Sequence, residues 1–288
     1  MSPPAVPPLP APPPLSAVLI TRDAVGMLPA CLESLAFCAE IVVVDSGSED
    51  GTPELARALG ARVIESHWRG FGAQKQFAVE QARHDWVLCV DADERVSPGL
   101  RESIRALFAV AAPQSGNVCP RRGIPGMQSP GTQGTSAPGF CAYRFPRCNR
   151  FMGRYLRHGE GYPDWSLRLF DRRHARWSSD AVHEKVLCTD PMGVLEGDLL
   201  HDSAESLETY LAKQNRYSTL AAEAALAAGK RAHAGHLLFS PLLRFLKFYV
   251  FRLGLLDGVE GLVHILIGCT ASFAKYAKML DLQRNRSS

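Results

Sequence analysis

Four short β-branched runs, each closed by polar or acidic residues, constrain this chain more than any other feature. They are Ser16-Ala-Val-Leu-Ile-Thr-Arg22, Ile41-Val-Val-Val-Asp45, Ala61-Arg-Val-Ile-Glu65 and Trp86-Val-Leu-Cys-Val90. The segments that follow them have helical spacing: 25–38, where Met27, Leu28, Cys31, Leu32 and Leu35 share a face, then 53–59, 72–83 and 98–110. Continuous apolar runs this short predict strands covered on both faces. Strands alternating with helices at this spacing form right-handed βαβ units and a parallel sheet. A chain of 288 residues can bury such a core and still carry an appendage.

In sheets of this kind ligands bind beyond the carboxyl ends of the strands. Thr21-Arg22, Asp45-Ser46 and Asp91-Ala-Asp93 all stand at those ends, so three separate loops converge on one crevice. Asp91-Ala-Asp-Glu94 packs three carboxylates into four residues. If the extended geometry of the fourth strand continues, Asp91 and Asp93 project from one side of the chain. Carboxylates so close repel each other unless a cation sits between or beside them. A hard divalent ion takes oxygen ligands and bridges carboxylates to substrate phosphates. The competing reading is a solvated acidic turn after a core strand.

The pattern breaks over 111–139, a stretch rich in Pro, Gly, Ser, Gln and Thr that predicts a flexible surface insertion. Strand-like pieces resume at 140–145, 162–170, 181–186 and 193–201. Asp202-Ser-Ala-Glu205 resembles a capping box and predicts a helix over 206–228. Residues 1–14, uncharged and mostly Pro, Ala and Leu, predict a disordered tail without the basic start of a signal peptide. The domains expected are thus the tail, an α/β domain over 15–201, and a helical C-terminal region over 202–288. The eight cysteines are scattered with no C-x-x-C, which argues against a zinc or disulfide framework and fits reduced cytosolic thiols. A net charge of +3 makes no case for nucleic acid.

Residues 236–256 are very apolar yet carry Arg244, Lys247 and Arg252, too many cations for a spanning helix. A basic helix rich in Phe and Leu fits an interfacial segment lying on anionic lipid. The alternative is a core helix packed on the sheet and stopped at Asp257-Gly258. A second apolar helix is expected over about 259–280.

Three stretches together resemble the inverting glycosyltransferases of family 2: Val18-Leu-Ile-Thr-Arg22, Val42-Val-Val-Asp-Ser-Gly-Ser-Glu-Asp-Gly-Thr52 and Trp86-Val-Leu-Cys-Val-Asp-Ala-Asp-Glu-Arg95. Tyr162-Pro-Asp-Trp-Ser-Leu-Arg-Leu-Phe170, Val182-His-Glu-Lys185 and the helical C-terminus look like a branch that adds glucose or related sugars to the core of lipopolysaccharide or lipooligosaccharide. The resemblance implies a GT-A fold, α/β, with a mixed Rossmann-like sheet flanked by helices. It also implies a nucleotide-diphosphate sugar donor, UDP-sugar foremost, and Mg²⁺ or Mn²⁺. Thr21 and Arg22 would border the nucleoside, and Asp45 would hydrogen-bond the base with Ser46 beside it. Asp91 would lie near the ribose and metal, and Asp93 would ligate the metal on the diphosphate. The partners implied are the nucleotide sugar, a lipid-linked saccharide acceptor and an anionic membrane surface. The location implied is cytoplasmic, peripheral on the inner face of the bacterial plasma membrane.

Inverting transfer needs a general base for the acceptor hydroxyl. Glu184 and Asp164 both qualify. Glu184 is favoured because His183 and Lys185 flank it, while Asp164 beside Trp165 suits positioning of an acceptor sugar. Lys75 either adds positive charge near the phosphates or is a surface helix lysine. His201, ending a strand-like run, is either a further metal ligand or structural. Two rival readings remain. A haloacid-dehalogenase-like phosphatase also places D-x-D after an apolar strand, but its pattern wants Thr or Val where Arg95 stands. A non-catalytic membrane-bound scaffold with a transferase fold would keep the same strands.

Overall fold

A computed structural model describes residues 11–111, 140–180, 184–203 and 206–285. The expectations for residues 1–10 of the tail, for 112–139 of the insertion and for His183 lie outside them. The chain divides into two compact units: residues up to Pro146 with Trp165–Leu200, and Arg147–Asp164 with the residues from His201 onward.

The first unit opens with β1 (Leu15–Thr21), α1 (Leu28–Leu35), β2 (Glu40–Asp45), α2 (Thr52–Ala58), β3 (Arg62–Glu65), α3 (Phe71–Glu80) and β4 (Trp86–Cys89). Then come β5 (Glu94–Val96), α4 (Pro98–Ala111) and β6 (Ala142–Phe151). After β7 (Arg154–Tyr155) the chain forms β8 (Asp164–Asp171), β9 (Ala175–Trp177), β10 (Val186–Cys188), β11 (Met192–Val194) and β12 (Leu199–His201). The main sheet runs β3-β2-β1-β4-β8-β6-β12-β5.

The first four strands are parallel, in registers such as Val18↔Val42, Val18↔Cys89 and Val43↔Val63. Successive side chains of a strand point to opposite faces, and here both faces are covered. Ala17, Leu19, Val43 and Leu88 pack with Leu28 and Leu32 of α1 and Leu100 and Ile104 of α4. Val18, Val42, Val44 and Val87 pack with Ala78 and Val79 of α3 and with Trp177. The sheet turns mixed at β8, antiparallel to β4 with Val87↔Phe170 and Leu88↔Leu169. β9 and β10 form a separate antiparallel pair.

The second unit holds α5 (Leu207–Ala227), α6 (Gly235–Phe245) and α7 (Gly258–Asn285). Two local expectations fail here. The Asp202 capping box does not start α5: Ser206 is the N-cap and accepts the Thr209 N–H. Nor is 236–256 one helix, because α6 passes into a π-helical turn at Leu246–Phe251 and a 3₁₀ turn at Gly254–Asp257. Gly254 allows this tight return: a Cβ there would meet Ile265 Cδ1 at 2.4 Å and the Phe248 carbonyl at 2.7 Å. The core-helix alternative fails as well, since no residue of α6 or of Leu246–Phe251 is buried. Leu238, Phe239, Leu243 and Phe251 are strongly exposed, Phe251 by 80%. Among the described residues, one helical stretch, Gly254–Asn285, is long and apolar enough to cross a membrane by length and composition alone.

Asp257 stops this segment by accepting hydrogen bonds. Its carboxylate takes the Arg157 and His158 N–H groups at 3.2 and 2.7 Å and faces His158 Nδ1 at 3.0 Å.

One glycine fixes how α3 seats in the first unit. A Cβ at Gly72 would stand 2.2 Å from the Ser178 carbonyl oxygen and 3.3 Å from Glu184 Cβ. Backbone cannot yield as a side chain can, so Gly72→Ala should cost about 1–3 kcal/mol in urea unfolding. An unchanged midpoint would show that α3 shifts freely.

Candidate active site

β4 ends at Cys89 and the chain turns through Ala92 and Asp93, with the Glu94 N–H donating to the Asp91 carbonyl at 2.9 Å. Asp91 and Asp93 are therefore not displayed by a continuing strand, and the alternation expected for them does not apply. Local hydrogen bonding explains the turn. Glu94, fully buried, accepts the Asp91 N–H at 3.0 Å and folds the acidic run back on itself.

Continuing the β4–β8 register places Arg168 opposite Cys89, at the end of the strand. From there its Nη2 donates to Asp91 Oδ2 at 2.9 Å and to Glu94 Oε1 at 3.3 Å. Lys75 of α3 completes the cluster. Its Nζ stands 3.1 Å from Asp91 Oδ1 and 3.3 Å from Glu184 Oε1. Lys75 is buried, which rules out the surface-lysine alternative. Both cations also lie over the Trp177 ring, at 4.9 Å for Lys75 and 5.5 Å for Arg168. Such stacking on an aromatic face is favourable for partly desolvated cations.

Burial by itself would raise the Asp91 pKa, but the charges of Arg168 and Lys75 and their hydrogen bonds outweigh it and hold the carboxyl well below the ordinary range. Burial works against the charged Arg168 as well, yet Asp91 and Glu94 keep it firmly protonated. The Cys31 thiol is pushed far up by burial, then by the charges of Glu94, Asp91 and Asp93. It remains a thiol, unsuited to act as a nucleophile.

The second strand end is built by Asp45. Its Oδ1 accepts the Gly47 and Ser48 N–H groups at 3.0 and 2.9 Å. Its Oδ2 accepts the hydroxyls of Thr21 and Ser48 at 2.8 and 2.5 Å. Thr21 and Asp45 are thus joined, and both are buried. The Ser46 hydroxyl accepts from Gln74 Nε2 at 3.0 Å, while Gln74 Oε1 is buried with no partner among the described residues. Arg22 is exposed and lies 3.9 Å from Asp23.

The two remaining sequence candidates belong to the second unit. Asp164 is ion-paired with Arg147 at 2.7 Å. His201 Nδ1 faces Asn149 Oδ1 at 2.7 Å. A separate group, Cys141, His174 and Asp190, has potential ligand atoms all within 4.8 Å of one another. Asp91 and Asp93 offer only carboxylate oxygen, which fits a hard divalent ion. Asp91 already carries two cationic partners, so a metal there would have to share it.

The sequence model of glycosyl transferase family 2 matches residues 16–176, more than half of the chain. This chain belongs to glycosyltransferase family 2. It is an enzyme of sugar transfer, and its mixed sheet with flanking helices is the GT-A fold. It is 34% identical over 274 residues to the lipopolysaccharide core biosynthesis glycosyltransferase LpsC of Rhizobium meliloti (strain 1021), covering 92% of each. An uncharacterised glycosyltransferase of Rickettsia typhi is 26% identical, with 93% of this chain and 87% of the relative covered. Among solved structures, glucosyl-3-phosphoglycerate synthase from Mycobacterium tuberculosis, in complex with Mn²⁺, UDP and glucosyl-3-phosphoglycerate, matches at a TM-score of 0.28 and 23% identity. That match covers 33% of this chain and 38% of the synthase. Family membership sets the phosphatase reading aside.

Sequence reasoning passed over Arg168, Gln74 and Trp177. The signal for Arg168 was present: an arginine between Leu167 and Leu169 in an apolar strand needs a buried partner. Removing one member of a buried ion cluster leaves the others short of compensation. Arg168→Met should therefore destabilise the protein by about 3 kcal/mol at neutral pH. Because the Asp91 pKa is depressed, its stabilisation is complete above the unfolded aspartate value of about 4 and fades as pH falls toward the folded one. Urea midpoints of wild type and variant should converge in acid. A gap that stays constant down to the lowest pH at which the protein folds would exclude this coupling.

Proposed function

We propose that the chain is an inverting transferase that moves a hexose from a UDP-sugar onto a lipid-linked glycan of the lipopolysaccharide core type. The observation that carries this reading is the Asp91–Lys75–Glu184 chain, which ties an acid from the later part of the sequence to the strand-end carboxylate. Asp93, with Asp91, would hold Mg²⁺ or Mn²⁺. Such an ion, when bound, offsets the negative charge that grows on the departing nucleoside diphosphate. His201, which faces Asn149 in the second unit, is left out of this ion's ligand set.

The side chains divide the remaining work. Thr21, Asp45 and Ser46 form the donor's base pocket, with Arg22 at its edge. Asp45 binds a base only if one of its present donors, the Ser48 hydroxyl for instance, turns away. Lys75 and Arg168 supply fixed positive charge beside the phosphates. Glu184 is the general base: one oxygen is held by Lys75, and the other takes the proton of the acceptor hydroxyl as it attacks the anomeric carbon. Asp164, held in an ion pair by Arg147, is the weaker base candidate and better suited to positioning a sugar.

Divalent-dependent release of nucleotide from a panel of nucleotide sugars, with a generic phosphate ester as control, tests this reading. UDP-hexose should be turned over only with Mg²⁺ or Mn²⁺, and Asp93→Ala should abolish turnover. Glu184→Gln should cut kcat by a factor of about 100 or more while donor Kd stays within about twofold. Wild-type turnover in Glu184→Gln would move the base to Asp164.

The exposed apolar residues of α6 and the turns after it, interspersed with Lys247 and Arg252, suit the face of an anionic membrane. Peripheral attachment to the cytoplasmic face would bring the enzyme to a lipid-anchored acceptor. The protein should co-sediment with anionic vesicles at low salt, and Phe251→Glu should weaken that binding. A protein that stays in the supernatant would remove the membrane from this account.

A further inference from the structure

The second unit holds an open cavity of about 520 Å³, lined only by its own residues. Its size lies in the range of small-molecule sites. Three basic side chains, Arg147, Arg150 and Lys213, line it, and no carboxylate does among the described residues. Arg147 and Arg150 are held by acids that stand outside the lining. Asp164 pairs with Arg147 at 2.7 Å, and Asp202 lies 3.5 Å from Arg150. Arg150 Nε is further held by the Gly153 carbonyl at 3.0 Å. The guanidinium groups are thereby oriented before any ligand arrives.

Another part of the lining is aromatic. Phe151, Tyr210 and His264 meet pairwise, with ring centroids 5.1 to 5.9 Å apart. The Tyr210 hydroxyl and His264 Nε2 are 3.0 Å apart, which locks two of the rings. Burial lowers the His264 pKa, which favours the neutral ring beside the other two aromatic faces. Asn149, His201 and Ser203 add groups that hydrogen-bond hydroxyls. Rigid aromatic faces beside hydroxyl-binding groups suit a sugar ring, and clustered guanidinium and ammonium groups suit phosphate or carboxylate.

We infer that this cavity binds an acidic saccharide, a sugar bearing phosphate or carboxylate. On the transferase reading above, on which only its role rests, the acidic saccharide is the part of the glycan acceptor that the enzyme grips. Neither charge alone nor a neutral sugar alone uses both the cations and the aromatic wall.

The test uses the full chain and four probes: glucose 6-phosphate, glucuronic acid, glucose and inorganic phosphate. Binding is measured by calorimetry or ligand-observed NMR at fixed ionic strength. The acidic sugars should bind at least about tenfold more tightly than glucose and than phosphate. Lys213→Gln, on the exposed face of α5, and Arg150→Gln should each weaken that preference by about threefold or more. Thermal midpoints check that each variant is folded, and Lys213→Gln alone suffices if Arg150→Gln is not. Glucose binding as tightly as the acidic sugars, phosphate binding as tightly as glucose 6-phosphate, or a preference unmoved by a folded variant would each overturn the inference. Binding of UDP with Mn²⁺ is measured in parallel and should be unchanged in both variants. If that binding is absent from wild type while acidic sugars still bind, the transferase reading fails and the cavity assignment stands.

Discussion

A buried ion cluster at the end of β4 organises the first unit. Asp91, Glu94 and Glu184 contribute negative charge, Arg168 and Lys75 positive charge, and most of these groups have little access to water. Desolvating any one of them alone would cost several kcal/mol, so each is tolerable only because the others are in place. The cluster joins parts far apart in sequence: the turn after β4, the middle of α3, a residue of β8 and the segment before β10. It therefore reports on whether the antiparallel strand has found its register, since a slip of one residue would turn Arg168 to the opposite face. The same arrangement fixes an acid, two cations and a candidate base relative to one another before substrate arrives, which is how an enzyme avoids reorganisation during reaction.

The second unit solves a different problem. Its helices expose an unusual amount of apolar side chain on α6 and the turns that follow, while its charges are drawn into local pairs. Arg244 is bound to Glu160, and Asp257 is occupied by the backbone and ring of His158. Pairing these charges within the unit lets an apolar surface coexist with a polar, cation-lined cavity in the same group of helices.

Much of the fold was legible in the chain. The four β-branched runs and the helices after them match β1 to β4 and α1 to α4 to within a few residues, because strands covered on both faces leave little freedom of composition. The loops at their ends were legible too, since Asp45 and Asp91 close apolar strands that cannot accommodate them. Features set by long-range contact were not. The acidic run reads as extended until Glu94 is seen to accept the Asp91 N–H. The Asp202 capping pattern loses to Ser206, whose hydroxyl meets the Thr209 N–H. Lys75 reads equally as a surface or a buried residue, because helical spacing says nothing about which acids wait on the other side.

The sequence by itself determined the parallel core, the strand-end acids and membership of glycosyltransferase family 2, because periodicity and short motifs are local properties. Only the tertiary structure decided that Lys75 and Arg168 share Asp91, that Glu184 joins them while Asp164 pairs with Arg147, and that α6 is exposed. Those outcomes depend on strand register and on which charges meet in a low-dielectric interior, where a partner tens of residues away outweighs every neighbour in the chain.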